Sequence, residues 1–102
     1  MFDVRCLPNP FYVDELRPLT GLDERIRDFV LNNDIAEEFK KRLLSFIEYA
    51  MPLYCSEGKS QLLIAVGCTG GKHRSVVFAE LISAYLKENK YRVNVIHRDI
   101  TK

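Results

Sequence analysis

The pattern of hydrophobic and polar positions predicts three short strands. Residues 2–7 alternate between the two sides of a strand, and the Pro8-Asn9-Pro10 sequence ends it. Residues 61–66 are uncharged and mostly apolar, which predicts a strand buried on both faces, as in a parallel sheet. Residues 91–96 predict a last strand near the end of the chain.

Three segments with apolar residues at helical spacing lie between these strands. Residues 22–31 predict a short helix, and a longer helix follows, with Asp34 as its cap and Pro52 ending or kinking it. The third helix has Ser75 as its predicted cap, and Asn89 marks its end. Because helical crossovers join parallel strands, we expect a single α/β domain with a small, mostly parallel sheet and flanking helices.

The sequence between the second strand and the third helix predicts an anion-binding loop. It reads Gly67-Cys68-Thr69-Gly70-Gly71-Lys72-His73-Arg74-Ser75. Its three glycines let backbone N–H groups turn toward one point, and the start of the helix adds about half a positive charge. Lys72, His73 and Arg74 add side-chain donors, so the stretch favours phosphate as a ligand.

Known phosphate loops match this stretch to different degrees. The loop of nucleoside-triphosphate-binding proteins does not fit, because the spacing of the glycines is one residue too short and His73 replaces the Mg²⁺-binding hydroxyl. The cysteine-phosphatase pattern C-x5-R-[ST] fits through Cys68, Arg74 and Ser75, with Asp99 as the candidate general acid. Two alternatives remain: a phosphate cradle without catalysis, and a turn whose basic side chains are merely solvated.

The predicted topology brings further polar residues toward this loop. In a parallel sheet, the carboxyl ends of the strands lie at one edge, where ligands bind. The first strand would deliver Arg5 and Asn9, the irregular segment after it Arg17, and the last strand His97 and Arg98. For Arg5 and Arg17, a solvated or structural role is the alternative to contact with the ligand.

Composition limits the classes of protein to which this chain can belong. The 102 residues are 47% hydrophobic and 28% charged, as in an ordinary globular domain, and the net charge is +1. A strongly basic nucleic-acid binder is therefore not indicated, and Lys40-Lys41-Arg42 is predicted to be a solvated face rather than an RNA patch. Three irregularly spaced cysteines predict free thiols in a reducing compartment, the cytoplasm. The cysteines and the two histidines lack metal-ligand spacing, and no metal or other cofactor is expected.

Several stretches resemble the C-terminal domain of the RapZ/YvcJ family. They are residues 67–76, the Phe2-Asp3-Val4-Arg5-Cys6-Leu7-Pro8-Asn9-Pro10 sequence, residues 16–23 and the His97-Arg98 pair. Proteins of this family are bacterial and cytosolic, and they carry an N-terminal Walker-type nucleotide-binding domain. The resemblance implies that this chain is the C-terminal part of a longer regulator, and it places Arg5 and Arg17 at a phosphate site.

The resemblance also implies partners. In the best-known branch of the family, this domain binds small regulatory RNAs and an amino-sugar phosphate, and it adapts an RNA to its ribonuclease. A phosphorylated small molecule or an RNA phosphate is therefore implied as the ligand. A regulatory RNA and a ribonuclease are implied as partners of the full-length protein, which would be a homo-oligomer.

The sequence departs from the RNA-binding branch at both ends. It finishes with Asp99-Ile100-Thr101-Lys102 instead of a basic tail, and it lacks the lysine-histidine segment upstream of the first strand. These departures predict weak RNA binding by this chain, whereas the phosphate cradle is intact. An interaction domain that assembles the full-length protein is a further alternative.

Overall fold

A computed structural model describes residues 1–58 and 61–101 of the chain. Three helices and a small parallel sheet form the fold, which confirms the predicted α/β class. In chain order the elements are β1 (Phe2–Asp3), a 3-10 turn (Pro10–Tyr12), α1 (Glu24–Leu31), α2 (Asp34–Ser56), β2 (Val66–Gly67) and α3 (Arg74–Glu88). No helix in the two described ranges is long and apolar enough to cross a membrane.

The sheet consists of two parallel strands and is smaller than the sequence predicts. β1 pairs with β2, and the N–H of Val4 donates to the carbonyl of Gly67 at 2.9 Å. Both strands are shorter than predicted, and Leu63 is 89% exposed, so the prediction that residues 61–66 are buried on both faces is wrong. The first half of this run precedes the paired part of the sheet and lies at the surface.

The predicted last strand forms no sheet pairing within the described residues. Residues 91–97 still alternate in burial, because Tyr91, Val93 and Val95 are partly buried and the residues between them are exposed. Tyr91 and Val93 pack against the core. The alternation therefore reflects one face of an extended segment packing on the core, since a ladder also requires a neighbouring strand at hydrogen-bonding distance.

The cap of α2 lies one residue earlier than predicted. The side-chain oxygen of Asn33 accepts a hydrogen bond from the N–H of Ala36 at 2.9 Å, and its amide donates to the carbonyl of Val30 at 3.0 Å. Asp34 is the first residue of the helix instead of its cap. Asn33 can bond to backbone groups on both sides because it combines an acceptor and a donor in one side chain.

α2 also runs through Pro52 to Ser56, so of the two predicted effects of this proline, an end or a kink, the end does not occur. Proline has no N–H to donate to the carbonyl of Glu48, four residues earlier. Glu48 and Pro52 are both exposed, so solvent can bond to that carbonyl. The last turn of the helix therefore forms at a position where the missing hydrogen bond costs little.

The start of α3 also differs from the prediction, whereas its end does not. The helix begins at Arg74, and its N-cap residue, His73, makes no side-chain capping bond. Ser75 is therefore not the cap. It lies in the first turn, where it bonds to the sulfur of Cys68. Asn89 is the C-terminal cap, as predicted.

The core packs the helices against the sheet and thereby fixes the position of the loop after β2. Its fully buried side chains include Phe78 of α3, Ile26 and Val30 of α1, and Val4, which follows β1. Phe39 of α2 packs edge-on against Phe78, with the ring centroids 5.6 Å apart. β2 ends directly before the loop that leads into α3, at the carboxyl edge of the sheet.

Candidate anion-binding site

The glycine loop, residues 68–73, joins β2 to α3. Gly71 has a φ of +72°, in the left-handed region that favours glycine. Among residues 1–58 and 61–101, no backbone carbonyl accepts a hydrogen bond from the backbone N–H groups of Thr69, Gly70, Lys72 and His73. These N–H groups and the N-terminus of the 15-residue α3 provide the donors and the partial positive charge that an anion requires.

Arg74 links the glycine loop to the segment after β1. Its side chain is buried, and Nη1 donates to the carbonyls of Arg5 at 2.6 Å and Leu7 at 3.2 Å. Nη2 lies 3.4 Å from the hydroxyl of Thr69, and Nε has no hydrogen-bond partner among the described residues. Nε and Nη2 form the same edge of the guanidinium group. The bonds of Nη1 therefore leave a two-donor edge directed at the loop.

His73 links the glycine loop to a second segment, residues 17–21, which is named the strap here. Nε2 of His73 lies 2.7 Å from the carbonyl of Leu19 and 3.2 Å from that of Arg17. Both partners are acceptors, so Nε2 carries the proton and donates. This nitrogen is directed at the strap and not at the centre of the loop.

Gly21 allows the strap to lie directly on the loop. Its N–H donates to the carbonyl of Lys72 at 2.9 Å. A Cβ at this position would lie 2.5 Å from the carbonyl oxygen of His73 and 2.7 Å from Cβ of Val76. Only glycine can therefore occupy this position without displacing the loop or the first turn of α3.

The sulfur of Cys68 lies at the first turn of α3. The N–H of Ser75 donates to Sγ at 3.4 Å, and the Ser75 hydroxyl lies 3.3 Å from it. Burial raises the pKa of the Cys68 thiol. The hydrogen bonds from Ser75, a further bond from the N–H of Gly71 and the charge of Arg74 outweigh burial and hold that pKa below its ordinary value. The surroundings therefore favour a thiolate.

The C-terminal arm, residues 97–101, lies against the glycine loop. A Cβ added to Gly71 would lie 2.8 Å from Cβ of Asp99 and 3.2 Å from its Oδ2. Arg98 pairs with the same carboxylate, with Nη2 and Oδ2 separated by 3.1 Å, and its side chain is otherwise exposed. The arm therefore brings a carboxylate into contact with the loop.

The predicted arginines of the N-terminal segment bond to nearby partners through their side chains. Arg5 pairs with Asp3 at 2.8 Å, and Arg17 pairs with Asp14 at 3.0 Å. The guanidinium carbon of Arg17 also lies 4.9 Å from the centroid of the Phe11 ring. Both arginines approach the loop through their backbone carbonyls, which accept from Arg74 and His73 respectively.

Asn9 and His97 likewise have local partners. The Asn9 side chain accepts from the N–H of Phe11 at 3.1 Å and thereby caps the 3-10 turn. Nε2 of His97 lies 3.5 Å from Oε2 of Glu80 on α3, which fastens the start of the C-terminal arm to that helix. The structure thus brings the predicted segments to the loop, although most of their polar side chains bond elsewhere.

Sequence reasoning missed three residues that hold the loop in place: Leu7, Leu19 and Gly21. Leu7 and Leu19 act through backbone carbonyls, which every residue has and which leave no mark in the sequence. Gly21 does leave a signal, because an isolated glycine beside buried segments often marks a close approach of backbones.

Hydrogen-bond donors predominate at the glycine loop, through its backbone N–H groups and the Arg74 guanidinium group. A surface concavity of about 560 Å³ lies at the start of α2, between Asn32 and Leu44, and includes no residue of the glycine loop. Within the described part of the chain, no group of three His, Cys, Asp or Glu side chains is arranged to hold a metal ion. Backbone N–H groups and a guanidinium edge are ligands for oxyanions rather than for cations.

Comparison with known proteins relates the whole chain to one family. The sequence model described as the RapZ C-terminal domain matches residues 1–101. A nucleotide-binding protein of Caldanaerobacter subterraneus subsp. tengcongensis is 57% identical over 100 residues, which is 98% of this chain and 35% of that protein. Nucleotide-binding proteins of Carboxydothermus hydrogenoformans and Limosilactobacillus reuteri are 51% and 54% identical over 102 residues, again 35% of each. The chain spans about a third of the length of the curated relatives it matches.

Proposed function

Because the chain belongs to the RapZ C-terminal domain family, we propose that it is a regulatory binding domain whose glycine loop holds the phosphate group of a ligand. The candidate ligands are a sugar phosphate, a nucleotide and an RNA phosphate. Relatives are named nucleotide-binding proteins, and every nucleotide carries such a phosphate. For the longer protein, we propose a cytoplasmic, ribonuclease-adapter-type regulator of bacterial amino-sugar metabolism.

The orientation of Arg74 is the observation that carries the proposal. Two backbone carbonyls hold Nη1, so the guanidinium plane is fixed while its Nε–Nη2 edge faces Thr69. That edge can donate paired hydrogen bonds to two oxygens of one phosphate. Nε is buried without a partner among the described residues, and an unsatisfied buried donor costs about 1–3 kcal/mol. A bound oxyanion would supply the missing acceptor.

The other donors of the proposed site fall into two groups: those that would contact the phosphate directly, and those that now bond to other partners. The backbone N–H groups of the glycine loop would surround the phosphate, and Lys72 would add a charge at its rim. The other predicted residues would bind the ligand only by exchanging their present partners, and they are Arg5, Asn9, Arg17, His97 and Arg98. In their present contacts, these side chains stabilise the N-terminal segment and the C-terminal arm that lie beside the loop.

Titration with inorganic phosphate tests the proposal. Phosphate should raise the melting temperature of the chain at millimolar concentration and should shift the amide NMR signals of residues 69–74. Arg74→Lys keeps the charge but loses the two-donor edge, and we expect it to weaken binding by tenfold or more. Arg92→Lys, an exposed arginine after α3, is the matched control and should bind like the wild type.

Two results would contradict the proposal. One is wild-type protein that phosphate neither stabilises nor shifts at residues 69–74. The other is an Arg74→Lys variant that folds and binds phosphate as tightly as the wild type. If Arg74→Lys does not fold, the amide shifts of the wild type decide alone.

A cysteine-dependent phosphatase is the second candidate, and the Cys68–Ser75 pair favours it. The Cys68 thiolate would attack phosphorus and release the alcohol, with Asp99 as proton donor, and water would then cleave the thiophosphate. The free Nε–Nη2 edge of Arg74 would clamp the phosphoryl oxygens in either case, so Cys68 and not Arg74 distinguishes the two candidates. Turnover of an aryl phosphate that Cys68→Ser abolishes would favour the phosphatase over the binding domain.

A further inference from the structure

Two neighbouring aromatic side chains, Phe11 and Tyr12, are exposed on the 3-10 turn that follows β1. Phe11 is 52% exposed and Tyr12 is 79% exposed. Their rings stand almost perpendicular to each other, at 85°, and the ring centroids are 5.8 Å apart. The two rings, named the aromatic corner here, therefore present two walls. A flat ring fits such a corner by stacking on one wall and placing its edge against the other.

The turn that carries the aromatic corner is held by several bonds. The Asn9 side chain accepts from the N–H of Phe11 at 3.1 Å, and Pro10 is buried at the first position of the turn. Nε of Arg17 donates to the carbonyl of Phe11 at 2.8 Å, and the guanidinium carbon lies 4.9 Å from the Phe11 ring centroid. Asp14 fixes Nη2 of Arg17 at 3.0 Å. A ring that is already held in place binds a partner without the entropy loss of ordering a mobile side chain.

The chain is fastened to the candidate anion site on both sides of the aromatic corner. Before the corner, the carbonyl of Leu7 accepts from Nη1 of Arg74 at 3.2 Å. After it, the carbonyl of Arg17 lies 3.2 Å from Nε2 of His73. Leu7 and Phe11 are four residues apart, so a fully extended chain would separate them by at most about 14 Å, and the 3-10 turn shortens this distance. That separation is comparable to the length of one nucleotide.

We propose that the aromatic corner binds the base of a nucleotide whose phosphate lies on the glycine loop. Among the ligands proposed above, the corner favours a nucleotide over a sugar phosphate, because only a nucleotide carries a flat ring at a distance from its phosphate. Aromatic side chains stack on every base, so the corner should accept different bases. This inference rests on the proposed function of the loop. The same chemistry is offered by a free mononucleotide and by one nucleotide of an RNA strand.

Calorimetric titration with adenosine 5′-monophosphate and ribose 5-phosphate tests the inference, because the two ligands share the ribose and the phosphate and differ in the base. The wild type should bind the nucleotide about tenfold more tightly than the sugar phosphate, as expected for one stacked base. Tyr12→Ala, and Phe11→Leu, which keeps an apolar side chain beside Arg17, should lose most of this preference. Both variants should bind ribose 5-phosphate like the wild type.

Tyr49→Ala is the matched control, because it removes an aromatic ring that is 71% exposed on α2 and should leave both affinities unchanged. A second measurement locates the base directly. The aromatic NMR signals of Phe11 and Tyr12 should shift when the nucleotide is added and should not shift with ribose 5-phosphate. A short single-stranded RNA distinguishes the two sources: binding tighter than that of the mononucleotide, and weakened by Tyr12→Ala, would identify an RNA strand, whereas equal binding would identify the mononucleotide.

The outcomes separate this inference from the proposed function. If the wild type binds both ligands equally and Arg74→Lys loses both, the inference is wrong and the loop still binds phosphate. A full preference for the nucleotide in Tyr12→Ala and Phe11→Leu, or an equal loss in Tyr49→Ala, also overturns it. If the wild type binds neither ligand, the inference and the proposed function both fail.

Discussion

Cys68 and Ser75 are seven residues apart in the sequence, and the turn of the glycine loop brings their side chains together. The result is a sulfur that receives hydrogen bonds from the first turn of α3 and lies in the field of Arg74. These contacts favour the charged form of the thiol in the folded state only. They therefore couple the protonation of one side chain to the stability of the domain.

We expect the pKa of the Cys68 thiol to lie below the ordinary value of 9.0 for a cysteine, because the hydrogen bonds from Ser75 and Gly71 and the charge of Arg74 outweigh burial. Because the folded-state pKa is lowered, the stabilisation is fully present above the unfolded-state pKa. It is lost as pH falls through the folded-state pKa. Thiolate absorbance of the wild type minus that of Cys68→Ser isolates this group from Cys6 and Cys55, which are also free.

The same variant provides the stability test. The stability difference between wild type and Cys68→Ser should change in favour of the wild type as pH rises between the two pKa values. A difference titration with its midpoint at or above 9.0 would show that burial, and not the hydrogen bonds from Ser75 and Gly71, dominates at this sulfur.

At the scale of elements, the side chain of one residue, Asn33, determines where α2 starts. Asn33 and Asp34 are adjacent, and both residue types are common helix caps. The sequence therefore locates the cap only to within one residue. The bonds of Asn33 to Ala36 and Val30 decide between them, because they join the end of α1 to the start of α2.

Asn33→Ala should therefore lower the free energy of unfolding by about 1–2 kcal/mol. Asp34→Ala should cost less, about 0.5 kcal/mol, since it loses only a favourable interaction with the helix dipole. Urea denaturation of the two variants measures both values, and Asn32→Ala provides a control at an exposed neighbour. A larger loss in Asp34→Ala than in Asn33→Ala would restore Asp34 as the cap.

The helices were more predictable than the strands, for a physical reason. A helix satisfies its hydrogen bonds within one segment, so local signals identify it. The spacing of apolar residues in 22–31 identifies α1, and Asn89 marks the end of α3. A strand depends on its neighbour, so the alternation in 91–96 could not reveal whether a partner was present. The same limit applies to the candidate site: the residue types of the glycine loop identify it as a candidate in the sequence, whereas the carbonyls that hold the loop leave no such signal.

At the scale of the whole molecule, positive and negative charges nearly balance, since the chain has 15 lysines and arginines and 14 aspartates and glutamates. Five arginines form ion pairs with carboxylates within the described part of the chain: Arg5, Arg17, Arg25, Arg42 and Arg98. Lys40 and Lys41 are exposed on α2, close in sequence to Glu37 and Glu38, and the net charge is +1. A long RNA would therefore meet one donor-rich loop rather than a continuous basic surface.

We expect this chain to bind RNA weakly, with an affinity that depends on salt through few contacts. The phosphate backbone supplies most non-specific affinity, and the logarithm of the binding constant falls by roughly 0.7–0.9 per neutralised phosphate for each tenfold rise in salt. With about three or four cationic groups available near one loop, the slope should be well below that of proteins that contact six to ten phosphates. Filter binding of a single-stranded RNA from low to physiological salt measures the affinity and the slope together. Tight binding at physiological salt would show that the paired arginines exchange their carboxylates for RNA, and Lys40→Gln with Lys41→Gln would then locate the surface responsible.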